Sequence, residues 1–158
     1  MTINYSSGND IIIPTINNKT YRGLSGDDIY VISSAIPSNS FLSIVDTEGK
    51  NIIQLTDGLE ISSTKFSSSA FQLKLSNGAI INISAANKNS YEIGGNITSG
   101  IQVEQKNYLE FSQLFGIQAF PKSGSLSSDI NLVVKMASLS PSNASFSWVE
   151  KTPESIGL

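Results

Sequence analysis

Two aspartates of this chain, Asp10 and Asp28, lie eighteen residues apart, and each one ends a glycine-containing loop. Asp10 closes the segment Ser7-Gly8-Asn9-Asp10, and Asp28 closes the segment Ser25-Gly26-Asp27-Asp28. A carboxylate at the end of such a loop, together with neighbouring backbone carbonyl oxygens, offers the ligands that hard cations such as calcium prefer. If the two loops stack on the same side of the fold, one cation can lie between successive turns.

Both loops belong to a nine-residue spacing that runs through the first thirty residues. Three large apolar side chains recur at this interval, namely Ile12, Tyr21 and Tyr30. Three residues of types that tolerate positive φ do the same, namely Gly8, Asn17 and Gly26. The segment Gly23–Val31 fits the nonapeptide G-G-x-G-x-D-x-U-x, with Leu24 as its one exception. The pattern predicts half-turns of a parallel β-roll whose U residues point inward, and the alternative is a pair of ordinary Gly-Asx turns. Lys19 takes the Asp position on the opposite side, where we expect no cation.

Beyond residue 33 the pattern predicts antiparallel strands. Phe41–Val45 and Ile52–Leu55 flank a glycine-containing turn and are predicted to form a hairpin. Phe71–Leu75 and Ala79–Ile83 are joined through Asn77-Gly78, which predicts a hairpin with a type I′ turn and one buried face. Shorter strands are predicted at Leu59–Ser62 and Ser90–Ile93.

The C-terminal half contains one helical pattern and a second predicted hairpin. Tyr108, Phe111, Leu114 and Phe115 share one stripe of a helix that Asn107 can cap and Gly116 can end. Alternating apolar residues at 130–136 and 146–148 predict the hairpin, which could pair with the chain's own sheet or with a neighbouring subunit. The predicted fold class is all-β: a short β-roll continuing into an antiparallel β-sandwich with one short helix. The predicted divisions are a domain at 1–120, a hinge at 121–128, and a C-terminal hairpin with its tail at 129–158.

Composition excludes several classes of function. Charged residues make up 15% of the 158 residues and the net charge is −3, so nothing favours binding to nucleic acid or to an anionic membrane. No apolar run is long enough to span a bilayer, so membrane insertion is not expected. The chain has no histidine and no cysteine, which removes the common nucleophilic triads and zinc sites. Its acidic residues include no pair that stands out, and we expect no enzymatic activity.

Residues 5–33 resemble the hemolysin-type calcium-binding repeats of the RTX family, whose members leave the cell by type I secretion. The segments 46–61, 73–79 and 91–96 resemble the β-rich part that follows such repeats in bacterial surface and adhesin-like proteins. The resemblance implies secretion to the cell surface without a cleaved signal peptide, which agrees with the missing basic and apolar regions at the N-terminus.

The resemblance also implies a set of calcium ligands. The first candidates are Asp10 and Asp28, with carbonyl oxygens of Gly8 and Gly26, and the second candidates are Asp27 and Asn9. The expected affinity lies in the extracellular range, with Kd roughly 10⁻⁴–10⁻³ M. Calcium binding would then contribute free energy of folding after export. Asp46, Glu48 and Asn51 form another oxygen cluster, for which a solvated turn is the simpler interpretation.

These observations favour a non-enzymatic, calcium-stabilised structural protein that self-assembles as a filament, surface layer or matrix, and hence a homo-oligomer or polymer. One alternative is an adhesion module that binds carbohydrate or a receptor, with Trp148, Tyr91 and Tyr108 as candidate contacts if they are not core residues. Another alternative is a virion decoration or tail protein, which would not need calcium.

Overall fold

The computed structural model describes residues 2–56, 58–94, 105–135 and 147–151. These residues form two β-sheets, so the predicted all-β fold class is confirmed. The strands of the first half are β1 (Thr2–Asn4), β2 (Ile11–Ile12), β3 (Lys19–Arg22), β4 (Ile29–Ile32), β5 (Phe41–Val45), β6 (Asn51–Leu55), β7 (Glu60–Phe66) and β8 (Ala70–Leu75). The remaining elements are β9 (Ile80–Ser84), a 3₁₀ turn at Ala86–Lys88, β10 (Asn89–Ile93), β11 (Gln105–Lys106), helix α1 (Tyr108–Gln113), β12 (Leu126–Ser128), β13 (Asn131–Lys135) and β14 (Ser147–Lys151).

The first sheet has the strand order β1-β3-β5-β9-β8-β7-β13-β14, and β12 also pairs with β7. The second sheet has the order β11-β10-β6-β4-β2. Of the first six strands, β1, β3 and β5 therefore lie in the first sheet, and β2, β4 and β6 lie in the second. Consecutive strands alternate between the sheets, so two strands and their loops make one coil of the chain.

The coils stack by parallel pairing. Thr2 pairs with Thr20 and Ile11 pairs with Ile29, which gives the first coil a length of eighteen residues. In the next coil Ile29 pairs with Ile52, so this coil is twenty-three residues long. Because of these five extra residues, the second coil does not stack at the eighteen-residue interval that the sequence spacing predicts.

The predicted hairpin of Phe41–Val45 with Ile52–Leu55 is wrong. Both segments are strands, β5 and β6, but β5 pairs in parallel with β3 and β9 whereas β6 pairs in parallel with β4 and β10. The glycine turn between them carries the chain from one sheet to the other instead of folding it back within one sheet. Gly49 has a φ of +77°, which either kind of turn can use.

The predicted hairpin of β8 and β9 is confirmed, with Phe71, Leu73 and Leu75 buried on one face. Its turn differs from the prediction. The N–H of Gly78 donates to the Leu75 carbonyl, the N–H of Leu75 donates to the Ala79 carbonyl, and Gly78 alone in this loop has positive φ. This is a three-residue loop with a glycine bulge instead of a two-residue type I′ turn.

The core lies between the two sheets and includes the residues of the nine-residue spacing. Ile12, Tyr21 and Tyr30 are all buried, as the spacing predicts for inward-pointing positions. Only one of the three spaced residues that tolerate positive φ adopts it: Gly26 has a φ of +101°. The other positive angles within residues 2–33 fall at Asn18 and Leu24, and not at Gly8 or Asn17.

Helix α1 begins with a capping box, in which Asn107 and Glu110 each accept a hydrogen bond from the other's backbone N–H. Its buried face carries Tyr108 and Phe111. The ring of Phe111 stacks on Tyr91 of β10 at 4.5 Å between centroids, so the helix is fixed to the core by aromatic packing.

The C-terminal hairpin pairs within its own chain. β13 and β14 are antiparallel, and β13 continues the first sheet through the pairing of Leu132 with Ile61. Within the predicted hinge at 121–128, Leu126–Ser128 forms β12 and pairs with β7. Several predicted features lie outside the described residues: positions 95 and 96 of the segment that resembles adhesin-like proteins, positions 136 and 146 of the C-terminal hairpin, and the tail from 152. The predicted division into domains remains a prediction.

Candidate functional site

The six predicted ligand residues occupy one corner of two adjacent coils, where β2 and β4 begin. Here the backbones approach closely: a Cβ added to Gly26 would lie 2.3 Å from the carbonyl oxygen of Gly8. Gly49 continues the contact in the next coil, because a Cβ there would meet the carbonyl oxygen of Gly26. The corner is therefore a stack of glycines, and the carbonyl groups of Gly8 and Gly26 face the coil that follows.

Next to this stack, side-chain oxygens bond the backbone of the neighbouring coil. The Oδ1 atom of Asn9 accepts a 2.7 Å hydrogen bond from the N–H of Asp27, eighteen residues later. The Oδ1 atom of Asp27 accepts a 2.8 Å hydrogen bond from the N–H of Lys50. Asn9 and Asp27, the second candidates for calcium binding, thus accept successive hydrogen bonds that join three coils.

The carboxylate of Asp10 is turned toward its own loop. It accepts hydrogen bonds from the N–H and the hydroxyl of Ser6, at 3.1 Å to Oδ2 and 2.8 Å to Oδ1 respectively. The backbone N–H of Asp10 donates a 2.8 Å hydrogen bond to Oδ1 of Asp28. Asp10 and Asp28, the first candidates for calcium binding, are therefore adjacent. Their contact joins the backbone of Asp10 to the side chain of Asp28.

Asp28 is fully buried and points into the space between the sheets. Its backbone N–H donates to Oδ1 of Asn51 at 2.9 Å. Its Oδ2 atom is buried and accepts no hydrogen bond from a described N–H or O–H group. The carboxyl group has the carboxyl of Asp46 as its side-chain neighbour.

Asp46 is the residue that sequence reasoning placed in a solvated turn, and the structure buries it. Its Oδ2 atom accepts a 2.6 Å hydrogen bond from the hydroxyl of Tyr30, and its Oδ1 atom accepts one from the N–H of Glu48. The Tyr30 hydroxyl in turn accepts a 2.7 Å hydrogen bond from the N–H of Gly23. Burial and the bond to Asp46 raise the pKa of the Tyr30 hydroxyl far above its ordinary value, so it remains a donor.

Asn51, from the same predicted cluster, is also buried and accepts a further hydrogen bond between coils. It accepts from Asp28 and donates from Nδ2 to the Glu48 carbonyl oxygen at 2.8 Å. Glu48 itself is exposed. The sequence contains a signal that could have drawn attention to Asp46, because Asp10, Asp28 and Asp46 are each eighteen residues apart. The longer second coil gives the stacking position to Asn51 and leaves Asp46 free to turn inward.

The corner fits calcium only in part. Calcium takes six to eight oxygen ligands, and the corner supplies carboxylate, amide and carbonyl oxygens of the right type. In the described residues, however, Asp10 is directed to Ser6, Asp27 to Lys50 and Asp28 to the interior. No group of three or more acidic, histidine or cysteine side chains converges within the described part of the chain. Calcium binding therefore stays a prediction.

Two of the three aromatic candidates for carbohydrate contact, Tyr91 and Tyr108, are not exposed. Tyr91 and Tyr108 are both buried, and their rings pack together at 6.0 Å between centroids. The hydroxyl of Tyr108 donates to the carbonyl oxygens of Ser67 and Ala70. Trp148 lies in β14, whose side chains are outside the described part. Tyr91 and Tyr108 are core residues of this fold.

No family model, no curated protein and no solved structure matches this chain. Among the described residues, no helix has the length and apolar character needed to cross a membrane.

Proposed function

We propose that this chain is a non-enzymatic structural protein that self-associates outside the cell, at the cell surface or in the extracellular matrix, and that calcium stabilises it. Copies of the chain contact one another through the strand edges at the N-terminal end of the two sheets, β1 and β2. The resulting assembly is a homo-oligomer or polymer, such as a filament, layer or matrix.

The edges β1 and β2 carry this proposal. Each is the last strand of its sheet among the described strands, and both lie at the same end of the molecule. Three isoleucines in this region are exposed: Ile11 by 57%, Ile13 by 52% and Ile16 by 50%. An unpaired strand edge with apolar side chains is a template for pairing with another chain.

The low charge supports association. The net charge of −3 and the charged fraction of 15% give copies of the chain little mutual repulsion. Neither β1, with the sequence Thr-Ile-Asn, nor β2, with Ile-Ile, carries a charged side chain. Addition of a strand from a second copy would therefore bury isoleucine without burying an unpaired charge.

The calcium part of the proposal rests on the same end of the molecule. Parallel pairing at an eighteen-residue interval supports the likeness of residues 5–33 to calcium-binding repeats. Asp10 and Asp27, together with Asn9 and the carbonyls of Gly8 and Gly26, present oxygen atoms close to β2. Calcium bound there would order the first coil and, with it, both edges.

The test is the mass of the particle in solution as a function of protein concentration and of calcium. Sedimentation velocity of the purified chain is compared with that of Ile13→Lys, which places a charge beside β2. The matched control is Leu109→Lys, at a residue exposed by 39% on α1, far in sequence from the edges. We expect the wild type and the control to grow in mass with concentration and with millimolar calcium, and Ile13→Lys to remain monomeric.

A wild type that stays monomeric at high concentration in millimolar calcium would contradict self-association. Association that persists unchanged with a chelator would contradict the calcium part and leave the edge contact standing. Loss of association in Leu109→Lys but not in Ile13→Lys would move the contact away from β1 and β2.

A further inference from the structure

One row of side chains on the outer face of the first sheet consists entirely of groups that form hydrogen bonds. Each member is the register partner of the next, from β3 through β5, β9, β8 and β7 to β12. The row contains Thr20, Ser43, Asn82, Gln72, Lys65 and Ser127. Because side chains alternate along a strand, the burial of the neighbours Tyr21, Ile44 and Ile83 shows that the row faces away from the core. Its members are exposed or half-buried.

The row is long, and all of its members except Lys65 are uncharged. Neighbouring strands lie about 4.8 Å apart, so a row across these strands is about 24 Å long. The amides of Gln72 and Asn82 are held side by side, because Nε2 of Gln72 donates a 2.9 Å hydrogen bond to Oδ1 of Asn82. An amide both donates and accepts, so this bond uses only part of the capacity of the two side chains. The remaining capacity suits the hydroxyl groups of a ligand that extends across the strands.

A cleft of about 340 Å³ lies along part of this row. Three members of the row line it together with three serines, namely Lys65, Gln72, Asn82, Ser67, Ser84 and Ser125. None of its described lining residues carries a carboxylate. The volume falls within the range of ligand sites in proteins, roughly 300–1,000 Å³. The cleft therefore offers hydroxyl, amide and ammonium groups to a segment of a ligand that lies on the row.

The same face is positively charged, although the chain as a whole has a net charge of −3. Arg22, Lys65 and Lys74 alternate with buried residues along β3, β7 and β8, so these side chains point outward. The strands β1, β3, β5, β9, β8, β7 and β12 contain a single carboxylate, that of Glu60, which lies at the opposite end of β7 from Lys65. Charge complementarity therefore favours an anionic ligand on this face.

The spacing of the charges favours a sugar polymer over a nucleic acid. Duplex DNA carries one negative charge per roughly 1.7 Å, and the few cations of this face are too far apart to match it. The neutral members of the row require a ligand with hydroxyl groups between its charges. In addition, Phe41 is exposed by 44% and lies on the same face as Ser43, where its ring can pack against the apolar face of a sugar.

We infer that the outer face of the first sheet binds an extended chain of an acidic polysaccharide. Its sugar hydroxyls bond the row, and its carboxylates accept charge-assisted hydrogen bonds from Lys65 and Lys74. Arg22, on β3, is placed to bind a further carboxylate of the same chain. This site is separate from the edges β1 and β2 and does not depend on self-association. A protein with both properties would be bound to a polysaccharide matrix as well as to its own copies.

Titration calorimetry with soluble oligosaccharides tests the inference, once in millimolar calcium and once with a chelator. The probes are fragments of hyaluronate, polygalacturonate and alginate, which are linear chains that carry carboxylates. The comparison ligands are dextran, which is neutral, and polyphosphate, which is anionic and has no sugar hydroxyls. We expect at least one of the acidic fragments to bind with an affinity that falls as salt is added, and both comparison ligands to bind at least about tenfold more weakly. Binding of none of the acidic fragments under either condition, or equal binding of dextran or polyphosphate, overturns the inference.

Two variants with matched controls locate the site. Lys65→Gln should weaken binding about fivefold, whereas Lys50→Gln, which makes the same change of charge at an exposed position between β5 and β6, should leave it unchanged. Asn82→Ala removes a neutral member of the row and should also weaken binding about fivefold, with Asn87→Ala in the 3₁₀ turn as its control. Equal effects of a variant and its control, or unchanged binding by Asn82→Ala, contradict the assigned site. If circular dichroism shows that Asn82→Ala does not fold, Ser43→Ala takes its place in the same comparison.

Discussion

Asn9 accepts a 2.7 Å hydrogen bond from the backbone N–H of Asp27, eighteen residues further along the chain. The bond links the corners of two stacked coils and uses an exposed side chain. It shows how the polar residues of the repeat contribute to the fold itself: their oxygen atoms hold the next coil in register.

This bond predicts a modest loss of stability in Asn9→Ala. The N–H of Asp27 would turn to water instead of a protein acceptor, which costs about 1 kcal/mol in the free energy of unfolding. Urea denaturation followed by circular dichroism measures the loss. The control is Asn87→Ala, at an exposed asparagine of the 3₁₀ turn between β9 and β10, and a loss of equal size there would argue against a specific role for Asn9.

A larger loss is expected where the coils touch at their glycines. In Gly26→Ala the new Cβ would lie 2.3 Å from the Gly8 carbonyl oxygen, at a φ of +101°. The coils must separate, and we expect a cost of at least about 3 kcal/mol from the clash and the strained backbone together.

The matched control for that change is Gly58→Ala. Its φ of +88° is also positive, but nothing lies within 4 Å of the new Cβ. We expect a cost of about 1 kcal/mol. Thermal unfolding of both variants separates strain from steric contact, and equal effects would show that the approach of Gly26 to Gly8 contributes little.

The hydroxyl of Tyr30 predicts a third result. Tyr30→Phe leaves both the Gly23 N–H and Oδ2 of Asp46 without this partner in the interior, and we expect a loss of about 2–3 kcal/mol. Tyr108→Phe removes only a donor to two carbonyl oxygens, and about 1 kcal/mol is expected there. Chemical denaturation of the two variants side by side checks the difference, and a smaller effect at Tyr30 would contradict the buried network.

The helix provides a fourth prediction. Phe111 is fully buried and stacks on Tyr91, so Phe111→Ala opens a cavity and should cost about 4 kcal/mol with loss of the near-UV aromatic signal. Leu109→Ala, on the exposed side of the same helix, should change stability by no more than about 0.5 kcal/mol. Similar losses in both variants would contradict a specific role for the packing of Phe111 on the core.

Local pattern predicted much of the secondary structure and went wrong where strands had to choose partners. The strands at 41–45 and 51–55 were placed to within a residue, yet they lie in different sheets. Alternation reports which face of a strand is buried, and a glycine reports a turn. Neither reports whether the turn closes a hairpin or carries the chain to the opposite sheet. By contrast, Asn77-Gly78 between β8 and β9 is a specific hairpin signal, and that prediction is confirmed.

The sequence predicts which residues lie near one another at the candidate site, but it does not predict which atoms they contact. Composition and spacing placed Gly8, Asp10, Gly26 and Asp28 at one corner, but no local pattern shows that Asp28 turns inward. That orientation depends on Gly23, Tyr30 and Asp46, which come from other parts of the coils.

The residue pattern alone predicts that this chain is all-β, that its N-terminal residues repeat at nine and eighteen, and that Ile12, Tyr21 and Tyr30 point into the core. These follow from short-range periodicity, since side-chain direction along a strand depends only on neighbours in the chain. The continued alternation between the two sheets through β5, β6, β9 and β10, and the meeting of Asp28 with Asp46, depend on contacts between residues far apart in the chain. A second coil five residues longer than the first moved the stacking position to Asn51, whereas the eighteen-residue spacing of the sequence would have placed Asp46 there.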